Sequence, residues 1–163
     1  MRGLQTWPAP GEWLWASMVG VVVLALMGGA GLAGGLLRLS QARFAGWPWE
    51  PMSLLVAPAL GEEVAFRGLW VPDRTETMRP ARAIALVTVI FTLWHVVEAM
   101  TFLPRAGAVF LRLDFLACAA ILGLGCGLMR WRTASIWPAV ALHWIAVVGW
   151  LTWLGGPRLA DLM

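Results

Sequence analysis

The 163-residue chain has no lysine and no asparagine, only two cysteines and two histidines, and charged side chains at just 13% of positions. Disordered chains combine low hydrophobicity with high charge density, so 60% hydrophobic content excludes disorder. Two cysteines exclude a disulfide-stapled secreted scaffold. Soluble domains average about 25% charged residues, and so little polar surface cannot cover a water-soluble core. With a mean hydropathy of +0.75, the class that remains is a membrane protein.

The net charge of +3 is carried wholly by arginine. A phosphate-binding face needs its basic residues clustered, whereas these arginines stand one to three at a time between apolar runs. Nucleic acid is therefore not an expected partner, and the arginines read as loop and interface anchors. The tryptophans fit the same picture. Trp7, Trp13, Trp15, Trp47, Trp49, Trp70, Trp131, Trp137, Trp150 and Trp153 all lie near the ends of apolar stretches, where a membrane boundary favours indoles.

Crossing a hydrocarbon core of about 30 Å takes about 20 apolar residues in a helix. Trp13 to Leu37 is uncharged and longer than the apolar core of a signal peptide. It reads as a membrane helix, with Gly31 and Gly35 as a small-residue packing face. After a linker from Arg38 to Glu50 come apolar segments at 51–71, 83–103, 115–129 and 133–154, the fourth of the five marginal in length. Asp73 to Arg82 is a polar loop, and Arg130-Trp131-Arg132 is expected as a tight turn. Gly123, Gly125 and Gly127 follow no strand, so they read as close helix packing rather than a dinucleotide loop. The chain lacks internal repeats and low-complexity stretches. It is expected to be all-α, a single polytopic membrane domain over 1–163 with a polar cavity at mid-membrane. Arg2, Arg74, Arg79, Arg82, Arg130 and Arg132 fall on one side and Arg38, Arg43, Arg105, Arg112 and Arg158 on the other, a balance that does not orient it.

Ionisable groups inside a bilayer cost about 2.5–3.5 kcal/mol each on insertion scales, yet six fall inside these segments: Glu62, Glu63, Arg67, His95, Glu98 and His143. At about 1.5 Å of helix rise per residue, Glu62, His95 and His143 each lie roughly 12–18 Å from the ends of their segments. Three segments thus bring protonatable groups to a similar depth. Glu63 and Arg67 are one helical turn apart, in the order that favours an ion pair. Glu62 points about 100° away and is left free for chemistry. Glu98, three residues after His95, is placed to hold that imidazole in one tautomer. A buried carboxylate with two imidazoles suits hydrolysis: one group takes a proton from water and another stabilises the oxyanion on the attacked carbonyl. No serine lies at this depth, and Cys118 and Cys126 read as packing residues.

At these residues the chain resembles the CAAX-processing and bacteriocin-processing (CPBP, or Abi) family of glutamate-type intramembrane proteases. Glu62-Glu63-Val64-Ala65-Phe66-Arg67 resembles its EExxxR motif, and Phe91-Thr92-Leu93-Trp94-His95 its FxxxH motif. Ser135 to His143 resembles the run into its last histidine. The resemblance covers 51–154 and leaves the first helix as an addition. It implies that Glu62 activates water with help from His95, that Glu63 and Arg67 support that motif, and that His143 faces the oxyanion. Phe91 of the FxxxH run, and Glu98 from its spacing to His95, are expected as supporting residues, and no cofactor or metal is expected. The substrate implied is a membrane-embedded or lipid-anchored peptide, cut near its terminus as a sorting tail, leader or CAAX-like end. A compact processing enzyme of the bacterial inner membrane is the expectation. One position departs: the family places Asn or Asp four residues after the last histidine, where this chain has Val147. A lost oxyanion donor costs about 10²–10³ in rate.

Three other readings use the same residues. Glu62, His95 and His143, with or without Glu98, could ligate zinc in a metalloprotease, though the HExxH spacing is absent. A catalytically silent immunity or scaffold protein fits Val147. A proton-coupled transporter also uses Glu and His chains, but it normally shows repeats.

Overall fold

A computed structural model describes residues 2–40, 49–158 and 161 of the chain. Arg43 and Trp47, expected as interface residues of the linker, lie outside them. The described residues are helical and contain no strand. α1 (Arg2–Gln5) is a single turn, and α2 (Pro10–Gly34) is the first long helix. α3 (Trp49–Leu54) runs into two wide π-type turns, Leu55–Leu60 and Glu63–Gly68. α4 (Ala81–Met100) is followed by short turns and α5 (Gly107–Phe110), then by α6 (Leu113–Thr133) and α7 (Trp137–Trp153).

α2, α4 and α6 are long and apolar enough to cross a membrane, and α7 is a shorter apolar helix. Their outward faces carry what a soluble protein hides. Val21 is 67% exposed on α2 and Leu86 62% exposed on α4, with Leu26, Ile90 and Leu93 bare beside them. A patch of that extent is a membrane surface rather than a set of stray residues. Trp7, Trp49, Trp70 and Trp153 are exposed close to helix ends, as boundary indoles should be. The chain is an integral membrane helical bundle.

Two boundaries differ from the sequence expectation. α2 stops at Gly34 because Gly35 adopts φ +80°, a left-handed conformation that terminates helices. Gly35 is therefore a cap, not part of a packing face, and Gly31 makes room for Leu37 of its own chain instead of another helix. Arg130-Trp131-Arg132 is not a turn: it forms the end of α6, which reaches 21 residues, and the chain reverses at Ala134. The polar loop satisfies this end. The Arg74 amide donates to the Trp131 carbonyl, and the Trp131 indole donates to the Thr77 carbonyl. Asp73 accepts from the Thr75 hydroxyl and amide and lies 3.8 Å from Arg130. The Thr75 hydroxyl chiefly holds the Asp73 carboxyl below its ordinary range, against desolvation.

The segment at 51–71 is the largest departure from a simple span. Ala57 is extended (φ −135°, ψ 118°), as the residue before a proline tends to be, and Pro58 lacks an N–H. The segment enters as α3, breaks, and resumes in wide turns that bracket Gly61 and Glu62. Such turns occur often at functional sites.

α6 is the central post of the bundle. Ala16 and Val23 of α2, Leu122, Cys126 and Met129 of α6, and Ala139 and Leu142 of α7 form one buried cluster. The expected glycine packing is present. A Cβ on Gly127 would lie 2.9 Å from Ile84, and one on Gly125 would lie 2.5 Å from Val23 Cγ2. Gly125→Leu should therefore push α2 from α6 and destabilise the fold by about 1–3 kcal/mol, the usual cost of overpacking. Thermal unfolding in detergent should register the loss, and Val23→Ala should recover part of it in the double variant.

Candidate active site

All six ionisable residues are held by the broken segment, α4 and α7. Glu63 and Arg67 are fully buried, and the Arg67 Nη1 donates to Glu63 Oε1 at 3.0 Å. That is the pair anticipated from their spacing. The same Oε1 also takes a hydrogen bond at 2.9 Å from His143 Nδ1, 80 residues away. One carboxylate oxygen thus joins the broken segment to α7. The plane of the Arg67 guanidinium is also served by Phe91, with Cζ 4.1 Å from the ring centroid, a cation–π contact worth more when dry.

Room for this arginine comes from α6. A Cβ on Gly123 would lie 3.2 Å from Arg67 Nη2 and 3.0 Å from Thr88. Gly123 was expected only as a packing residue. Its part in admitting Arg67 is a long-range matter that a glycine-rich run signals without assigning.

His95 lies on the inner face of α4, 8% exposed. Its Nδ1 stands 3.0 Å from the Phe91 carbonyl of the preceding turn. A carbonyl only accepts, so Nδ1 carries the proton and Nε2 is the free nitrogen of the neutral ring. The tautomer-holding part expected of Glu98 therefore falls to the Phe91 backbone. Aromatic edges fix the ring plane: Phe91, Phe110 and Phe115 lie 4.9, 5.5 and 5.3 Å from it, centroid to centroid. Phe110 and Phe115 gave no sign of this role in the sequence, since their loop and helix are distant from the motifs.

Glu62 points away from the Glu63–Arg67 pair, as its spacing implied. Its Oε2 lies 3.8 Å from His143 Nε2, beyond direct hydrogen-bond length. One ligand-type atom each from Glu62, His95 and Glu98 falls within 4.8 Å of the other two. The carboxylate and both imidazoles therefore meet, and Glu98 stands beside them. These groups could hold a divalent cation through two carboxylates and one imidazole, a donor set that suits zinc. His143 is not part of that trio.

They border a cavity of about 860 Å³ whose remaining wall is almost wholly apolar. Val147 lines it one turn beyond His143 and packs against the apolar cluster that includes Leu54, Phe110 and Phe115, offering no donor. Cys118 lines the cavity and Cys126 is fully buried beside Glu63; each thiol is directed at a backbone carbonyl. A polar trio in a concave, largely hydrophobic chamber is the ordinary form of a small-molecule or peptide site.

Residues 44–149 match the family model described as type II CAAX prenyl endopeptidase, Rce1-like. No curated protein and no solved structure matches the chain. The match spans the broken segment, α4, α6 and most of α7, and so takes in every residue of the trio and of the Glu63–Arg67–His143 group. On that extent, the chain belongs to the Rce1-like family of type II CAAX prenyl endopeptidases, the membrane proteases that the CPBP resemblance had pointed to.

Proposed function

We propose that this protein is a glutamate-type intramembrane endopeptidase that cuts a peptide bond near the terminus of a membrane-embedded or lipid-anchored substrate. The observation that carries the reading is the convergence of Glu62 with His95 and His143 at the edge of an apolar cavity. Water held between Glu62 and His95 loses a proton to the Glu62 carboxylate as its oxygen attacks the scissile carbonyl. The His143 ring, anchored through Nδ1 on Glu63, offers Nε2 toward the oxyanion when it carries a proton there. Collapse of the tetrahedral intermediate breaks the C–N bond, and the proton on Glu62 passes to the leaving amine. Arg67 and Phe91 hold Glu63 in place, and Glu98 orders the polar side of the cavity. In this reading the whole chain is one membrane domain, with 51–154 as catalytic core and α2 as an addition. A compact processing enzyme of the bacterial inner membrane remains our reading of its place.

Two observations favour other readings. The grouping of Glu62, His95 and Glu98 suits a metalloprotease, and Val147 suits a silent family member with a scaffold or immunity role. One experiment separates all three. Purified protein in liposomes is given an S-farnesylcysteine peptide ending in three further residues, with and without 1,10-phenanthroline, and products are read by mass spectrometry. The glutamate mechanism predicts release of the terminal tripeptide at an unchanged rate in chelator. Loss of cleavage in chelator, restored by zinc, would establish the metalloprotease. A protein that binds the peptide and never cuts it would be the silent member.

A further inference from the structure

One wall of the cavity is made by a helix that lies ahead of the family-matched residues 44–149. α2 is anchored on α6 and α7 through Ala16, Gly20 and Val23. One turn further on, Leu24, Met27 and Gly28 line the cavity instead. The Cys118 thiol, 3.5 Å from the Met27 carbonyl, ties this stretch to α6. The α2 wall carries no charged or hydrogen-bonding side chain, whereas the polar side is formed by Glu62, His95, Glu98 and His143. The cavity is therefore divided into a hydrolytic side and a hydrocarbon side.

Gly28 is half-buried, and a Cβ placed on it would meet nothing within 4 Å. Gly149 on α7, also in the lining, is equally bare. Elsewhere on α2 the space at a glycine is filled by a neighbour: at buried Gly31 by Leu37 and at Gly34, near the helix end, by Asp114. No neighbour packs against Gly28 where a side chain would stand, and its missing side chain leaves volume open beside the cavity.

We propose that α2 sets the size of the apolar group that the cavity accepts, with Gly28 as the limiting position. The hydrocarbon of the substrate lies against Leu24, Met27 and Gly28 while its peptide reaches Glu62. This rests on the proteolytic reading for the identity of the occupant, but binding and cleavage test the two separately.

Binding of S-geranyl (ten-carbon) and S-geranylgeranyl (twenty-carbon) cysteine peptides is measured on Glu62→Gln protein, in which hydrolysis does not intervene. Gly28→Trp should lower the affinity ratio of the longer to the shorter peptide at least tenfold. Val22→Trp, on the lipid-facing side of the same helix, should leave that ratio unchanged. In the protein with Glu62 intact, Gly28→Trp should raise KM for the longer peptide with little change in kcat. A ratio untouched by Gly28→Trp, an equal change from both tryptophans, or no binding of either peptide would overturn the proposal. Length-dependent binding without any cleavage by the native site would support the α2 wall and sink the proteolytic reading alone.

Discussion

Glu62→Gln is expected to abolish peptide cleavage, lowering the single-turnover rate by about 10²–10⁴-fold, the usual range for a lost general base. Glutamine preserves the volume and planar shape of the carboxylate but cannot accept a proton from water. The Arg67 ion pair is made with Glu63 and not with Glu62, so the replacement leaves that buried pair intact. The variant should keep the helix content and thermal midpoint of the native protein. A rate within threefold of native would remove Glu62 from the chemistry. An equal fall in rate and stability would make it a structural residue.

The second large effect concerns stability. Glu63 and Arg67 have no exposed side-chain surface. Removing one member of such a pair leaves the other charge buried without compensation, at a cost of about 3–5 kcal/mol. Arg67→Leu should therefore destabilise the protein by about that amount, as read by unfolding in mixed micelles. Adding Glu63→Gln to it should recover part of the loss, since the orphaned charge is then gone as well. Strict additivity of the two changes would mean that they do not interact, contrary to the 3.0 Å contact. The recovery should be incomplete, because Glu63 Oε1 also holds His143. Activity should stay low in the double variant even where stability returns.

What the sequence carried and what it did not divides along the range of each interaction. The Glu63–Arg67 pair was legible because both ends lie on one helical turn, where spacing alone sets geometry. So was the separation of Glu62 from it. The link from Glu63 to His143 spans 80 residues, and no local rule reaches that far. Glu98 was a reasonable partner for His95 at three residues, but the Phe91 carbonyl sits one turn back on the same helix and is always present. The broken path at Ala57 was hidden because hydrophobic content measures burial in lipid and says little about backbone regularity. Pro58 was the one local warning. The mistaken turn at Arg130 had a similar origin: two arginines end an apolar run, but a helix continues past them when Asp73 and the polar loop lie close enough to receive its end.

The end of α7 has a consequence for the surrounding lipid. With 17 residues it measures about 25 Å, some 5 Å less than an average hydrocarbon core. Its last carbonyls do not stand open at that shortfall, because the Arg38 amide donates to Leu154 and the Ser40 amide to Trp153. The segment that follows α2 thus closes the end of a helix that finishes early. A bilayer meets such hydrophobic mismatch by thinning locally. Lipid beside α7 is accordingly expected to be thinner than average, which would bring the aqueous boundary nearer to the cavity that α7 lines.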